Sequence, residues 1–284
     1  MNNHNHTTTA NALFAPVLVL GGNGKTGKRI VQKLNELSIP VRVGSRSGEP
    51  AFDWNDRSTW EAAMQGMKAV YIAYQPDLSV PGAPDDIDTL VQIAQRLNIQ
   101  KLVLLSGRGE TEAQICENIV INSGIDYTIL RCSWFFQNFN ESFFQEPLKA
   151  GLLALPAGNI QEPFVDADDI ADIAVAAFTA SRHSNKLYDI TGPRLLTFKD
   201  VAKEIGIATG RDIRFQDLTI EEYTGMLTEF GVPADYVQLI TYLFTEVLDG
   251  RNESLAHGVE EALDRKPADI SAFIHRTLPS GVWS

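Results

Sequence analysis

Gly21, Gly22, Asn23, Gly24, Lys25, Thr26 and Gly27 form the stretch whose residue types and spacing are best suited to hold a ligand. Gly22-x-Gly24-x-x-Gly27 fits the dinucleotide fingerprint, and Gly21-x-x-Gly24-x-x-Gly27 fits its dehydrogenase/reductase variant. The glycines divide three physical roles: a sharp turn, close approach of backbone N–H groups to a pyrophosphate, and close packing of helix on strand. A helix beginning here adds partial positive charge at the phosphates. The same stretch approximates the GxxxxGK loop of nucleoside triphosphatases, but Arg29 stands where that loop needs Ser or Thr for magnesium. A register built on Gly24-Lys25-Thr26 would need glycine at position 19, which is Val19. The stretch therefore predicts a dinucleotide site, against the alternative of a glycine-rich turn with no ligand.

A second cluster follows at Ser45, Arg46 and Ser47. NAD sites place an acid here for the ribose 2′-hydroxyl. None is present before Glu49, which lies in a turn-like SGEP. A guanidinium flanked by hydroxyls suits a 2′-phosphate instead, and Lys25 adds a second cation. The expected cofactor is NADP(H). The alternative for Arg46 is a solvated loop arginine.

The elements that must position these groups are legible as alternating patterns. Strands are expected at Val17–Leu20, Val41–Gly44, Ala51–Trp54, Ala69–Tyr74, Lys101–Ser106 and Tyr127–Arg131, and helices at Thr26–Leu37, Arg57–Met64, Ile87–Leu97 and Glu112–Ser123. Short apolar strands alternating with amphipathic helices predict an α/β, Rossmann-type, doubly wound parallel sheet. Beyond Arg131 the texture changes. Trp134–Phe144 is aromatic-rich, and Gly151–Pro163 reads as a loop excursion. Asp166–Ala180 reads as a helix opened by acids, and Lys186–Ile190 as a strand. Thr197 caps a helix through Ile207, a strand is expected at Ile213–Leu218, and helices at Ile220–Phe230, Pro233–Leu248, Asn252–Leu263 and Ala268–Thr277. The expected organisation is a tail over 1–14, a cofactor-binding domain over 15–150 with 164–192 returning to it, and a smaller, mostly helical substrate lobe over 151–163 and 193–284.

Composition narrows the class. The chain has 284 residues, 44% hydrophobic, and a formal net charge of −12. This balance argues against a nucleic-acid partner or an anionic membrane surface. Residues 1–11 lack the basic start and apolar centre of a signal peptide, so a disordered tail and a cytoplasmic protein are expected. Two cysteines, Cys116 and Cys132, give no disulfide framework. Cys116 reads as helix packing, whereas Cys132 follows a strand and could line a pocket. The histidines, His4, His6, His183, His257 and His275, are dispersed, and no metal site is expected. Glu112 and Glu117 read as a solvated helix face, and Asp166, Asp168 and Asp169 as helix capping.

GGNGKTG, VGSRS, FDWND at 52–56, LLSGRG at 104–109, SGIDYTILR at 123–131 and FVDADDIADIA at 164–174 together resemble the NmrA-like group of atypical short-chain dehydrogenases/reductases. Within it the chain looks most similar to the ergot-alkaloid-type dehydrogenases and their bacterial relatives. The group also holds quinone and azo reductases, and NADP-sensing regulators with little or no turnover. The resemblance implies that Asp53 hydrogen-bonds the adenine with Trp54 alongside, and that Tyr74 lies along a ribose. It implies that Ser106 and Gly107 face the nicotinamide, and that Trp134, Phe135, Gln137 and Asn138 wall the substrate pocket. Trp54 and the later aromatics have core packing as their alternative.

The larger superfamily uses a Tyr-x-x-x-Lys pair as its acid. The corresponding stretch here, Gly109–Glu117, holds neither tyrosine nor lysine, and no catalytic residue is assigned. Hydride transfer to an acceptor that is already electrophilic, an iminium, a quinone or an azo compound, needs less acid assistance. The expected function is NADPH-dependent reduction of such a small planar molecule by a monomer or homodimer. The alternatives are a redox-sensing NADP-binding module and, further off, an isomerase or epimerase on the same fold.

Overall fold

A computed structural model describes residues 15–284. The tail, with His4 and His6, lies outside the described residues. Strands β1 (Val17–Leu20), β2 (Val41–Gly44), β3 (Ala69–Ile72), β4 (Lys101–Gly107), β5 (Asp126–Cys132) and β7 (Lys186–Ile190) form one six-stranded sheet in the order β2-β1-β3-β4-β5-β7. Every pairing in it is parallel. Strand order reverses between β1 and β3, which makes the crevice outside their carboxyl ends a topological switch point.

Side-chain alternation builds two cores from these strands. Leu18, Leu20, Val70, Ile72, Leu102 and Leu104 pack on one face with α2 (Trp60–Met64), α3 (Ala83–Arg96) and α4 (Thr111–Ile121). Val17, Val19, Ala69, Tyr71 and Val103 pack on the other with α1 (Lys25–Glu36) and α6 (Ala167–Thr179). A strand buried on both faces has to be apolar throughout, which is why VLVL and AVYI show no polar alternation. Ion pairs Arg29–Asp168 at 2.9 Å and Lys33–Asp172 at 2.7 Å join α1 to α6 along their exposed edges.

A third core belongs to the lobe. It gathers Phe136, Phe139, Phe144 and, from α5 (Gln145–Ala150), Leu148 with residues of α7 (Phe198–Thr209), α8 (Ile220–Glu229), α9 (Ala234–Tyr242) and α11 (Ile270–Thr277). The aromatic run after β5 thus supplies the lobe's core. Trp283, buried, donates its indole N–H to the Phe139 carbonyl at 2.8 Å and closes that core with the chain's end.

Three expectations need correction. Ala51–Trp54 forms no strand; Asp53 makes only an isolated bridge to Asp56. The indole of Trp60 donates to the Asp53 carbonyl at 2.6 Å and that of Trp54 to the Ala73 carbonyl at 3.2 Å. Aromatic packing of Phe52, Trp54 and Trp60 therefore takes the place of a ladder. Gly151–Pro163 is not all loop: β6 (Leu152–Leu155) pairs in parallel with β8 (Arg214–Asp217), giving the lobe a two-stranded sheet. The helix expected from Asn252 begins only at Gly258, as α10 (Gly258–Leu263). Its leading residues are held by other elements, with Asn252 Nδ2 on the Arg108 carbonyl at 3.1 Å and Ala256 N–H on Thr191 Oγ1 at 3.0 Å. The helix begun by α9 continues through a π-turn, Leu243–Val247. Among the described residues no helix is long and apolar enough to cross a membrane.

Trp60 is fully buried and holds the segment that replaces a strand. Trp60→Ala is expected to destabilise the protein by about 3–5 kcal/mol, the usual range for emptying a buried aromatic site. Urea unfolding followed by circular dichroism checks this.

Candidate cofactor and active site

The glycine loop turns at Gly21, whose φ of +68° lies in the left-handed region. Gly24 N–H then donates to the Gly21 carbonyl at 2.8 Å. A side chain at position 27 would lie 2.2 Å from that same oxygen and 2.7 Å from Gly22 Cα, so α1 packs directly on the loop. Gly24, the N-cap, offers no side-chain cap, and the first turn of α1 holds no acid. By contrast, α3, α6 and α8 each carry two acids in that turn. The uncapped N–H groups and the dipole of α1 fit an anion, and the close-packed glycines fit a pyrophosphate.

The Thr26 hydroxyl is not part of that cradle. It is buried and accepts a hydrogen bond from Tyr71 Oη at 2.8 Å, so only its backbone is offered. Asn23 is exposed and Lys25 half-buried. Burial lowers the Lys25 pKa from its usual range, against the pull of Glu141 and with the push of Lys28. Glu141 itself is held by Lys28 at 2.7 Å and by Arg29 at 2.7 Å. Arg29, at the position where a triphosphate loop would need a hydroxyl, is thereby occupied in joining α1 to the chain after β5.

Parallel pairing of Leu20 with Gly44 sets the tips of β1 and β2 side by side. A Cβ at position 44 would lie 2.6 Å from Leu20 Cδ2, so a side chain there would force the Leu20 side chain to shift. Ser45, Arg46 and Ser47 emerge next to the glycine loop, with Arg46 and Ser47 exposed. The two serine hydroxyls lie 3.4 Å apart. Further along, Asp53 Oδ1 accepts from Asn55 N–H at 3.0 Å, and the Trp54 ring lies 4.7 Å from that of Tyr74. The Tyr74 hydroxyl donates to Asp86 Oδ2 at 2.7 Å. Burial first, then Asp86, pushes its pKa up.

At the tips of β4 and β5 the arrangement departs from expectation. Ser106 is buried and donates to Glu117 Oε1 at 2.6 Å, so its hydroxyl faces α4 and not the crevice. Glu117 is 1% exposed, not a solvated helix face, and Arg131 Nε answers it at 2.9 Å. Glu112 accepts from Tyr242 Oη at 2.7 Å and links α4 to the lobe. Gln137 does not wall a pocket. It is buried with its Nε2 on Asp166 Oδ1 at 2.9 Å and its Oε1 on Ala167 N–H at 2.8 Å. The fully buried carboxylate that caps α6 needs donors, and the amide supplies one. Arg276 supplies another. Trp134, half-buried, packs edge-on against Phe198 and Phe244, 5.6 and 5.4 Å away. Phe135 pairs through its backbone with Val165, and Asn138 is half-buried. Cys132 is buried and its thiol donates to the Leu130 carbonyl at 3.4 Å. Burial pushes the Cys116 thiol up to about 12.

Two carboxyls near these tips carried no sequence signal. Glu162, 1% exposed, takes the Trp134 N–H at a long 3.4 Å, and burial raises it to about 7 despite that bond and nearby Arg108. Glu110, 7% exposed, is pushed well above the carboxylate range by burial and then by Asp77. Only tertiary packing buries them, since each stands in a polar or proline-bearing stretch. Among the described residues no three His, Cys, Asp or Glu side chains gather to hold a metal.

The fold, its switch point and an anion-ready glycine loop define an NAD(P)H-binding Rossmann protein. The NAD(P)H-binding family matches residues 21–181, more than half of the chain, and the chain belongs to it. Agroclavine dehydrogenase of Claviceps fusiformis is 30% identical, over 91% of this chain and 96% of that protein. Prestalk A differentiation protein A of Dictyostelium discoideum is 25% identical, over 92% of each. An NADPH-dependent quinone oxidoreductase of Escherichia coli, solved with NADPH, shares the fold with a TM-score of 0.77 at 17% identity, covering 92% of this chain and 99% of that one.

Glu162 gives a pH-dependent stability. Its folded-state pKa of about 7 lies above the ordinary 4.5. The folded state therefore holds the extra proton between these values, and stability falls as pH rises through them. Once ionised, the buried carboxylate costs about 3 kcal/mol. Glu162→Gln is expected to match the native protein at pH 4 and exceed it at pH 8 by about that amount, measured by thermal melts at both pH values.

Proposed function

We propose that the protein is an NADPH-dependent reductase of a small, planar electrophile: an iminium, a quinone or an azo compound. The observation that carries this reading is the pairing of Leu20 with Gly44, which brings the acid-free first turn of α1 beside Arg46. One cation-rich corner then meets both the pyrophosphate and the 2′-phosphate, with Ser45 and Ser47 as hydroxyl donors. Hydrogen bonds to a charged phosphate each contribute about 1.5–3 kcal/mol. Asp53 and Trp54 would border the adenine, and the Tyr74 ring a ribose.

When bound, the reduced nicotinamide supplies a hydride. The chain's own part is to position and to dry the site. The Glu110 carboxyl fills the space that a side chain at Gly107 would take at the tip of β4, while Trp134 and Phe244 give an apolar wall at the lobe. An effective reductase gains chiefly from holding the acceptor carbon in contact with the coenzyme. With neither tyrosine nor lysine over 109–117, the reading favours acceptors that are electrophilic before any proton arrives. The names of the dehydrogenase and quinone oxidoreductase relatives support the same class.

Loss of NADPH absorbance against a panel of iminium ions, quinones and azo dyes tests this. Turnover with at least one class is expected. Tight NADPH binding with no turnover of any class would replace the reading by a sensor. Arg46→Ala is expected to weaken NADPH binding roughly 10- to 150-fold while leaving NADH nearly unchanged, the loss of about 1.5–3 kcal/mol. Calorimetry with both coenzymes reads the difference, and an unaltered preference would sink the assignment of Arg46.

A further inference from the structure

Glu110 is the N-cap residue of α4, yet its side chain does not cap that helix. An acid at this position ordinarily turns forward to the free N–H groups of the first turn. Here it turns back. A Cβ at Gly107 would lie 1.9 Å from Glu110 Oε1 and 2.1 Å from its carboxyl carbon, so the carboxyl fills the space beside the last residue of β4. The residue is more than nine-tenths buried. Burial, and then the neighbouring carboxyl of Asp77 from the segment after β3, push its pKa well above the carboxylate range. Burial without a bonded cation favours the protonated form of a carboxyl. Asp77 is engaged elsewhere, its Oδ1 receiving the Ser79 N–H and hydroxyl at 2.8 and 2.7 Å.

The surroundings hold it there. The Gly109 carbonyl accepts from Arg251 at 3.1 Å, and the Arg108 carbonyl from Asn252 at 3.1 Å. A lobe segment thus clamps the turn that carries Glu110. Acids face it from every side: Asp77, and Glu112 and Glu117 on its own helix. Tyr242, from α9, donates to Glu112, and Arg131 pairs with Glu117. A proton on Glu110 limits repulsion within this group.

We propose that Glu110, turned back from its helix onto the tip of β4, donates the proton to the acceptor reduced in this crevice. The inference rests on the reductase reading above. For a quinone or an azo acceptor, hydride from a reduced nicotinamide dinucleotide adds at one end of the conjugated system. The displaced π pair forms an O–H or N–H bond with the Glu110 proton, leaving Glu110 as carboxylate. Water returns the proton. The sum is reduced coenzyme, acceptor and one proton giving oxidised coenzyme and the two-electron-reduced acceptor. An iminium acceptor is complete with hydride alone.

Three measurements test it. In the coenzyme-free protein carrying Glu162→Gln as the background, which removes the other carboxyl raised into this range, infrared titration is expected to find a protonated carboxyl C=O band in neutral buffer. That band is absent from Glu110→Gln and titrates at lower pH in Asp77→Asn, where the repelling charge is gone. With a quinone or azo acceptor, Glu110→Gln is expected to lose about 10²–10⁴-fold in kcat, the range for a general acid. The loss with an iminium acceptor is expected to be at least roughly tenfold smaller. Should Glu110→Gln fail to fold, the native pH profile decides: quinone reduction falls as pH rises through the ionisation of the pair, and Asp77→Asn moves that fall to lower pH. A neutral-pH band that survives in Glu110→Gln, or equal losses with both acceptor types, overturns the proton donor and leaves the reductase standing. No turnover by the native protein overturns both.

Discussion

The contact on which the cofactor region depends is that of α1 with the loop before it. Helix backbone meets loop backbone at Gly27 and Gly21 with no room for a methyl group. This contact aims the free N–H groups of the helix into the crevice at the point where strand order reverses. It also fixes the direction in which α1 leaves the sheet, and so where α6 packs. An acid-free, uncapped first turn would be a liability in most helices. Here it leaves free N–H groups whose geometry fits an anion.

Charge divides along the carboxyl edge of the sheet. Beyond β1 and β2 stand Lys25 and Arg46; beyond β3 and β4 stand Asp77, Glu110, Glu112 and Glu117, with Arg108 paired to Asp189. The net charge of −12 conceals this separation. The cationic corner is suited to a polyanionic coenzyme, and the carboxyl-rich edge to chemistry at its far end. Desolvation drives the second half of the division. Burial favours the protonated form of a carboxyl with no cation close by; Glu117, also buried, pairs with Arg131.

A chain of ion pairs helps to anchor the lobe. Lys28 and Arg29 on α1 hold Glu141, Arg29 also holds Asp168, and Arg276 on α11 reaches Asp166. These contacts run from the glycine-loop helix through the segment after β5 to the chain's last long helix. An isolated surface pair contributes little, but Asp166 is fully buried and its partners satisfy it from three directions. The lobe is thus tied to the helix that follows the glycine loop.

The sheet, its parallel sense and the glycine loop were legible from residue order alone. Apolar strands of four residues and amphipathic helices are local patterns, and the loop's glycines are close neighbours in sequence. Register was not local: the neighbourhood of Leu20 and Gly44, 24 positions apart, comes from strand pairing. Side-chain direction was less legible still. Thr26, Ser106 and Gln137 carry the polar groups expected of a ligand site, yet each turns to a buried partner that only the folded chain supplies. Ala51–Trp54 has the composition of a strand, but the Trp60 indole, the Thr59 hydroxyl and the Ser45 carbonyl took its backbone groups. Glu110 and Glu162, carboxyls that burial raises, had no sequence mark. Local pattern determines which backbone groups form elements; burial and the identity of the neighbouring charge, which set where a proton rests, are decided only when distant segments meet.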